Sequence, residues 1–387
     1  MSAAFRQSRA VKGRRVDPAW RVTRHPPPHR HVLARAASPD VEGQNASDTG
    51  SAPASVDEDA NDESPSIEIP ERPKHFTTVD EFLPADGLGG ANALRNVFDT
   101  HHDDPQRTHE HRFVWDYWHV PDQYTLLRTP AADYFPEKDF AALESSLQTY
   151  ASQTLGCAGI TPVWLSVYVE GMRQELHADV PHGPWAFVLS LTNLGEGNFS
   201  GGETLMLKPE TLDYFRHFDS DSVVERGNLV ELIEPKFNRL TVFDPRVPHG
   251  VQVVEGTRDP KKGRLVLHGW FNDPAPCVFG ALEKSETRKK ETLEILEQNI
   301  LPPLFATLGE LPRARGTVVV QVTIEPDGTM SDTKWSADSL VPFPSEFDPV
   351  ETRDAILIEI AAAFRENLNL FPVCDGESTL TVPFMFD

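Results

Sequence analysis

His177, Asp179, His249 and Arg264 are the residues of this chain whose types and spacing could do chemistry. They run as His-x-Asp, a second histidine further along, and an arginine opening a β-patterned run. Two imidazoles and one carboxylate can occupy one face of an octahedral metal. That leaves three positions open for a chelating co-substrate and O₂. His-x-Asp alone is a weak pattern, and the surrounding text is what gives it weight.

Residues 164–179 read WLSVYVEGMRQELHAD. Alternation predicts a strand with Trp164, Ser166 and Tyr168 on one face and Leu165, Val167 and Val169 on the other. Gly171 allows a turn. A second short strand then carries His177 and Asp179, which at spacing i, i+2 point to the same side. In PKFNRLTVFDPRVPHGVQVV, RLTVFD predicts a strand, DPRVP a turn, and His249 opens the next strand. GRLVLHGWF places Arg264, Val266, His268 and Trp270 on one face, and the glycine pair of FSGGETLML starts a further strand. Such a two-histidine, one-carboxylate set is the arrangement of non-haem Fe(II) oxygenases.

In this order the segments resemble the prolyl-hydroxylase-like branch of the 2-oxoglutarate- and Fe(II)-dependent dioxygenases. The matching pieces are Y-x-x-G-x(5)-H-x-D from Tyr168 to Asp179, GGET from Gly201, PKFNRL from Pro235, PHGV from Pro248, and R-x(5)-WF from Arg264. The resemblance spans residues 161–272. It implies a double-stranded β-helix (jelly roll) with Fe(II) on His177, Asp179 and His249. It implies 2-oxoglutarate and O₂ as co-substrates, with ascorbate as an auxiliary. Arg264 would hold the distal carboxylate of 2-oxoglutarate, assisted by Tyr168. His268 shares the Arg264 face, where it either touches 2-oxoglutarate or substrate or is a satisfied core histidine.

Two departures from the family pattern matter. The gap between the distal histidine and Arg264 is longer than usual, filled by GTRDPKKG, and Arg258 sits near the usual spacing. Arg264 is preferred because it begins the strand and keeps its offset to Trp270. A side chain in a turn of Asp-Pro and Lys-Lys is more readily solvated. In FVLSLTN, where some relatives place a 2-oxoglutarate-contacting tyrosine, this chain has Ser190 and Leu191.

The composition fits a globular protein with a substantial core. Of 387 residues 39% are hydrophobic, and no apolar run approaches the ~20 residues a membrane helix needs. The three cysteines, Cys157, Cys277 and Cys374, are far apart and read as free thiols in a reducing compartment. The net charge of −23 argues against a nucleic-acid partner, because a phosphate backbone wants a basic face. That charge is uneven. Residues 1–38 hold nine Arg or Lys and one acid, whereas residues 40–71 hold ten acids and no Arg or Lys. The first stretch reads as an organelle transit peptide, plastid favoured over mitochondrion, with a basic nucleic-acid-touching arm as the alternative. The acidic stretch 39–74 is read as a disordered linker.

The expected class is mainly β with flanking helices (α+β). Residues 75–160 form a helical support region, including a helix in DFAALESSLQTYASQTL. Its aromatics Trp115, Tyr117, Trp118 and Tyr124 either pack on the β-core or wall the substrate groove. The jelly roll occupies 161–272, interrupted by a short helical insertion at KPETLDYFRHF. A charged helix fills 273–310 and ends at a Pro-Pro break. Residues 311–387 form a separate ββαβ domain that resembles the C-terminal domain of TonB and leaves a sheet edge for a protein partner. His101, His102, Asp103, Asp104, His109 and His111 read as solvated loop residues, and His182 as a turn histidine or part of the cavity lining. Because the Asp179 position is filled, hydroxylation of a C–H bond is the expected outcome, on a prolyl residue of a protein. A small-molecule substrate and an inactive jelly-roll binding module are the alternatives.

Overall fold

The computed structural model describes residues 21–22, 75–102, 114–179, 182–195, 198–208, 211, 229–343, 349–367 and 369–386. The expected transit peptide and linker, the loop residues Asp103, Asp104, His109 and His111, and nearly all of the expected helical insertion lie outside them. Of the N-terminal stretch only Arg21–Val22 is described, running parallel to Met385–Phe386.

Two sheets organise the described residues. The larger has twelve antiparallel strands. Its path runs Val230–Ile233, Thr204–Leu207, His249–Val251, Arg173–His177, Tyr124–Pro130, Trp164–Tyr168, Arg264–Pro274, Trp185–Ser190, Leu240–Phe243, Phe76–Val79. The strand Tyr124–Pro130 is where the sheet curls over. Leu127 to Pro130 pair with Trp164–Tyr168, while Tyr124 and Thr125 pair with Arg173–His177. The result is a jelly-roll-like half-barrel whose two halves face each other across a cavity.

Alternation decides which side chains enter that cavity. On Trp164–Tyr168 and Arg264–Pro274, Leu165, Val167, Leu265 and Leu267 face outward and belong to the main hydrophobic core. Tyr168, Arg264, Val266, His268 and Trp270 face inward and line the cavity. The outer face is sealed by the helix Glu137–Leu155, which buries Leu143, Leu147, Ala151 and Leu155 at spacing i, i+4. Glu137 and Asp139 in its first turn complement the helix dipole. Gly156 ends it in the left-handed conformation, at φ 59°.

The region 75–160 is more than helical support. It also supplies four strands to the large sheet: Phe76–Val79, Asp116–Val120, Tyr124–Pro130 and Cys157–Ile160. A second difference concerns Pro302-Pro303. These prolines do not break the chain; they occupy the first positions of a helix, Leu301–Glu310, where a missing N–H costs nothing. Between it and Glu286–Ile295 lies one wider turn, Leu296–Ile300, which interrupts the α-helical hydrogen-bond ladder, so Pro302 and Pro303 stand where that ladder starts again.

The smaller sheet has six strands: Arg21–Val22, Cys277–Gly280, Ala314–Ile324, Met330–Asp338, Val341–Pro342 and Ser378–Phe386. With the helix Pro349–Arg365 before the last strand, the order expected for 311–387 is present. This packing unit begins earlier than residue 311, however. Cys277–Gly280 pairs with Ser378–Phe386, and Leu296, Ile300, Leu301, Leu304 and Leu308 lie in the same core as Val320, Ile360 and Phe384.

The two sheets are joined through the sealing helix. The last carbonyls of any helix lack intrahelical partners. Here Thr381 Oγ1 (2.8 Å) and Gln321 Nε2 (2.5 Å) donate to Gln153 O, and Ser336 Oγ donates to Thr154 O at 2.6 Å. Val319 inserts into the main core, and a Cβ on Gly156 would stand 2.7 Å from Pro383 Cδ. No helix among the described residues is long and apolar enough to cross a membrane.

Candidate metal centre

His177 ends the strand Arg173–His177 and His249 opens the strand His249–Val251; the two pair directly across the ladder. Asp179 lies just past the strand end rather than on it, fixed by its backbone N–H, which donates to Pro245 O at 2.9 Å. One ligand atom from each of the three residues lies within 4.8 Å of the others, and no other such group occurs among the described residues.

The donor chemistry fits a divalent cation. His177 Nδ1 stands 2.8 Å from Glu175 O and His249 Nδ1 2.9 Å from Val247 O. A carbonyl only accepts, so both Nδ1 atoms carry the proton and both Nε2 atoms present a lone pair. Those Nε2 atoms lie 3.6 and 3.7 Å from the Asp179 carboxylate oxygens. That is too long for a hydrogen bond. It is near the separation of about 3–3.5 Å between atoms that each stand ~2.1 Å from one ion. Trp270 Nε1 donates to Asp179 Oδ2 at 2.9 Å and holds the carboxylate in place. Burial lowers the His249 pKa, which keeps that imidazole in the neutral, ligating form.

Arg264 lies in the same cavity, 1% exposed. Its Nη2 donates to Thr204 Oγ1 at 3.1 Å, and its Cζ is 4.8 Å from the Tyr168 ring centroid, across a direct strand pair. Its Nε has no hydrogen-bond partner. Among the described residues no carboxylate is within ion-pair distance of it. Burial lowers its pKa, and the neighbouring Tyr168 and Glu203 act in the other direction. Burial likewise raises the Tyr168 pKa, so the phenol stays protonated. An unpaired buried guanidinium costs several kcal/mol unless an anion joins it. The space for it is made by backbone: Gly202, at φ +77°, would with a Cβ stand 3.3 Å from Arg264 Cδ, and a Cβ on Gly201 would strike Val253 O. Arg258, the rival, is exposed in its turn.

The cavity encloses about 390 Å³. His268 lines it, with Nε2 2.8 Å from Ser166 Oγ. Burial, then the charges of Arg264 and Arg128, hold its pKa down at about 3, so it is neutral. His182 stands at the cavity edge, 4.6 Å from the Trp270 ring. The aromatic stretch divides. Trp118 and Tyr124 line the cavity, whereas Trp115 packs toward Phe98 and Tyr134 and Tyr117 is exposed. His101 closes the helix Ala91–His101 and His102 packs beside Phe98 and Trp115, apart from the metal-competent group.

Three contributions are absent from the sequence reading: the bond from Trp270 to Asp179, the hydroxyl of Thr204 on Arg264, and Arg128 in the cavity wall. Thr204 stands inside the GGET motif. Arg128 was findable from the alternation of Tyr124, Leu126 and Arg128 along YTLLRTP.

Residues 163–272 match the family model described as the 2OG-Fe(II) oxygenase superfamily. The matched stretch is less than a third of the chain. No curated protein matches the chain in sequence. Solved structures similar to it include a prolyl hydroxylase from Trichoplax adhaerens in complex with a hypoxia-inducible-factor oxygen degradation domain peptide. That match has 17% identity and a TM-score of 0.36, covering 51% of this chain and 84% of the other. A prolyl-4-hydroxylase from Pseudomonas putida is 20% identical, with a TM-score of 0.31, covering 51% and 92%. HygX from Streptomyces hygroscopicus, with nickel and 2-oxoglutarate bound, is 11% identical, with a TM-score of 0.33, covering 51% and 83%. Similarity at this level carries no argument about chemistry, which rests on the site itself.

Proposed function

We propose that this chain is an Fe(II)- and 2-oxoglutarate-dependent dioxygenase that hydroxylates a C–H bond of its substrate. The observation that carries the reading is one cavity holding both halves of the required site. One half is a His–Asp–His set with both Nε2 atoms free for a metal, and the other is a buried guanidinium without an anion. His177, Asp179 and His249 would hold the iron. Arg264, with Thr204 and Tyr168 beside it, would take the distal carboxylate of 2-oxoglutarate. Bound together, Fe(II) and 2-oxoglutarate would supply the electrons that activate O₂, the oxidant, toward a C–H bond. The protein's own part is to fix geometry. Trp270 fixes the Asp179 carboxylate, two backbone carbonyls fix the imidazole tautomers, and the sealed outer face excludes water from behind the site.

The finer readings belong to the same proposal. The substrate is a prolyl residue of a protein, ascorbate keeps the iron reduced, and residues 1–38 direct the chain to the plastid. The test is succinate release by the full chain with Fe(II), 2-oxoglutarate and O₂, with and without ascorbate. His177→Ala and His249→Ala should each abolish it and lose bound metal. Retention of metal and turnover in both variants would refute the assignment.

A further inference from the structure

The cavity wall carries a second arginine that the iron and 2-oxoglutarate do not use. Arg128 lies on Tyr124–Pro130, paired with Ser166 on one side and Asp116 on the other. It faces into the same cavity as the metal-competent triad and Arg264. Its guanidinium is flanked from both neighbouring strands: Cζ lies 4.2 Å from the Trp164 ring centroid and rests against the Trp118 ring. Contact with two indoles restrains a planar cation, whose five N–H groups point from its edges.

Those edges are almost unused. The one carboxylate near Arg128 among the described residues is Asp116, whose Oδ2 stands 3.5 Å from Nε, and the Asp116 side chain is 60% exposed. Nε makes no hydrogen bond. The nearby cavity groups offer no compensating charge. Ser166 and His268 are bonded to each other, and His268 is neutral. A chain of net charge −23 thus keeps in this cavity a cation whose one ion-pair partner among the described residues, Asp116, is largely exposed to solvent.

Within the oxygenase reading, both ends of 2-oxoglutarate are already placed, one on the metal and one on Arg264. Arg128 stands elsewhere. Arg264, Tyr168, Leu126 and Trp118 share one cross-strand row, whereas Val266, Ser166, Arg128 and Asp116 share the next. The same strand carries Tyr124, whose ring centroid is 6.1 Å from that of His177. Arg128 lies further along that strand, on the hairpin wall of the same cavity, where a substrate would lie.

We propose that Arg128 is a specificity residue that receives a carboxylate of the primary substrate, so that the enzyme acts on an acid. The inference rests on the oxygenase reading and narrows its substrate to one that presents a carboxylate, which for a protein means a chain-terminal prolyl or an acidic side chain beside the prolyl. A planar carboxylate meeting the edge of a fixed guanidinium forms paired charge-assisted hydrogen bonds.

The test uses the full chain loaded with Mn(II) and 2-oxoglutarate without O₂. The probes are two matched pairs: acetyl-proline with acetyl-prolinamide, and acetyl-glutamate with acetyl-glutamine. Wild type should bind each acid about tenfold or more tightly than its neutral partner. Arg128→Gln should erase that preference while leaving 2-oxoglutarate affinity within about threefold. Arg128→Lys, which keeps charge and stem but loses the fork, should retain part of it, a check that does not depend on the glutamine variant folding. Asp116→Asn, which removes the competing exposed carboxylate, should tighten the acids further. Equal binding of acids and neutral partners by wild type would overturn the proposal. So would a tenfold loss of 2-oxoglutarate affinity in Arg128→Gln, which would make Arg128 a co-substrate clamp. If wild type binds no metal or fails to turn over 2-oxoglutarate in air, the oxygenase reading falls first and takes this one with it.

Discussion

At the scale of single residues, the site is a set of groups held in one protonation state and one direction. Trp270 contributes direction. Its indole N–H on Asp179 Oδ2 fixes the carboxylate that must meet two imidazoles. Losing a partner of this kind typically costs 10- to 100-fold in metal affinity, so Trp270→Phe should weaken Mn(II) binding by about that factor, read by calorimetric titration. Arg264 contributes charge. A charge-assisted hydrogen bond is worth ~1.5–3 kcal/mol, so Arg264→Gln should weaken 2-oxoglutarate binding roughly 10- to 150-fold. Arg258→Gln should change it by little, because that side chain is exposed. A larger loss at Arg258 would reverse the alignment of this strand. His268 contributes neutrality. Its pKa falls from 6.5 to about 3 on folding, so below pH 6.5 the unfolded chain binds a proton that the folded chain does not. The stability due to this residue is present above pH 6.5 and is lost as the pH falls toward 3. His268→Gln should flatten that part of the denaturation-midpoint profile, and an unaltered slope would show that other groups govern it.

At the scale of elements, close backbone approach makes room for the arginine. Gly201 and Gly202 both have positive φ, and a Cβ on Gly202 would stand 2.9 Å from Phe199 Cε2. Gly202→Ala should cost on the order of 1–3 kcal/mol in urea unfolding and weaken 2-oxoglutarate as Arg264 shifts. Wild-type values for both would mean that the loop relaxes freely. The same elements show what a sequence can disclose. Trp164–Tyr168, Leu240–Phe243 and Arg264–Pro274 were legible because buried strands alternate or run apolar between turn residues, and His177 and His249 because they stand at strand edges beside proline or glycine turns. The hairpin of Asp116–Val120 and Tyr124–Pro130 was not recognised, since its outer strand is mostly exposed and its residues read as an aromatic cluster. Its turn at Pro121-Asp122, with Asp122 at φ 60°, was the available signal. Pro302-Pro303 misled for the opposite reason: proline stops a helix from inside yet starts one from its first turn. Alternation along YTLLRTP puts Arg128 on one face with Tyr124 and Leu126, but which face of the curled sheet is concave comes only from the fold.

At the scale of the molecule, the C-terminal sheet reaches the metal centre through one turn. Residues 244–248 bridge from Leu240–Phe243 to His249. Pro245 O accepts from Asp179 N, and Val247 O accepts from His249 Nδ1, so this turn sets two of the three proposed ligands. The turn is itself pinned. The buried Asp244 carboxylate accepts from Arg246 N, Nε and Nη2 and from Ser339 Oγ, the last at 2.8 Å. Arg246 also reaches Thr317 Oγ1 at 3.4 Å and Phe386 O at 3.5 Å. Ser339, Thr317 and Phe386 all belong to the C-terminal unit, which separate folding of residues 311–387 would leave without this role. Ser339→Ala removes one donor from a buried carboxylate, a loss of about 1–3 kcal/mol spread over the turn. Metal affinity of the full chain should fall, and the ligand-field bands of the Co(II)-loaded protein should shift, because the ligands would move as well as weaken. Ser339→Thr, which restores the hydroxyl, should recover both. If Ser339→Ala lowers only the unfolding midpoint, with metal affinity and Co(II) bands unchanged, the C-terminal sheet is a prop for the fold alone. Shifted bands rescued by threonine would make it part of the apparatus that aims Asp179 and His249.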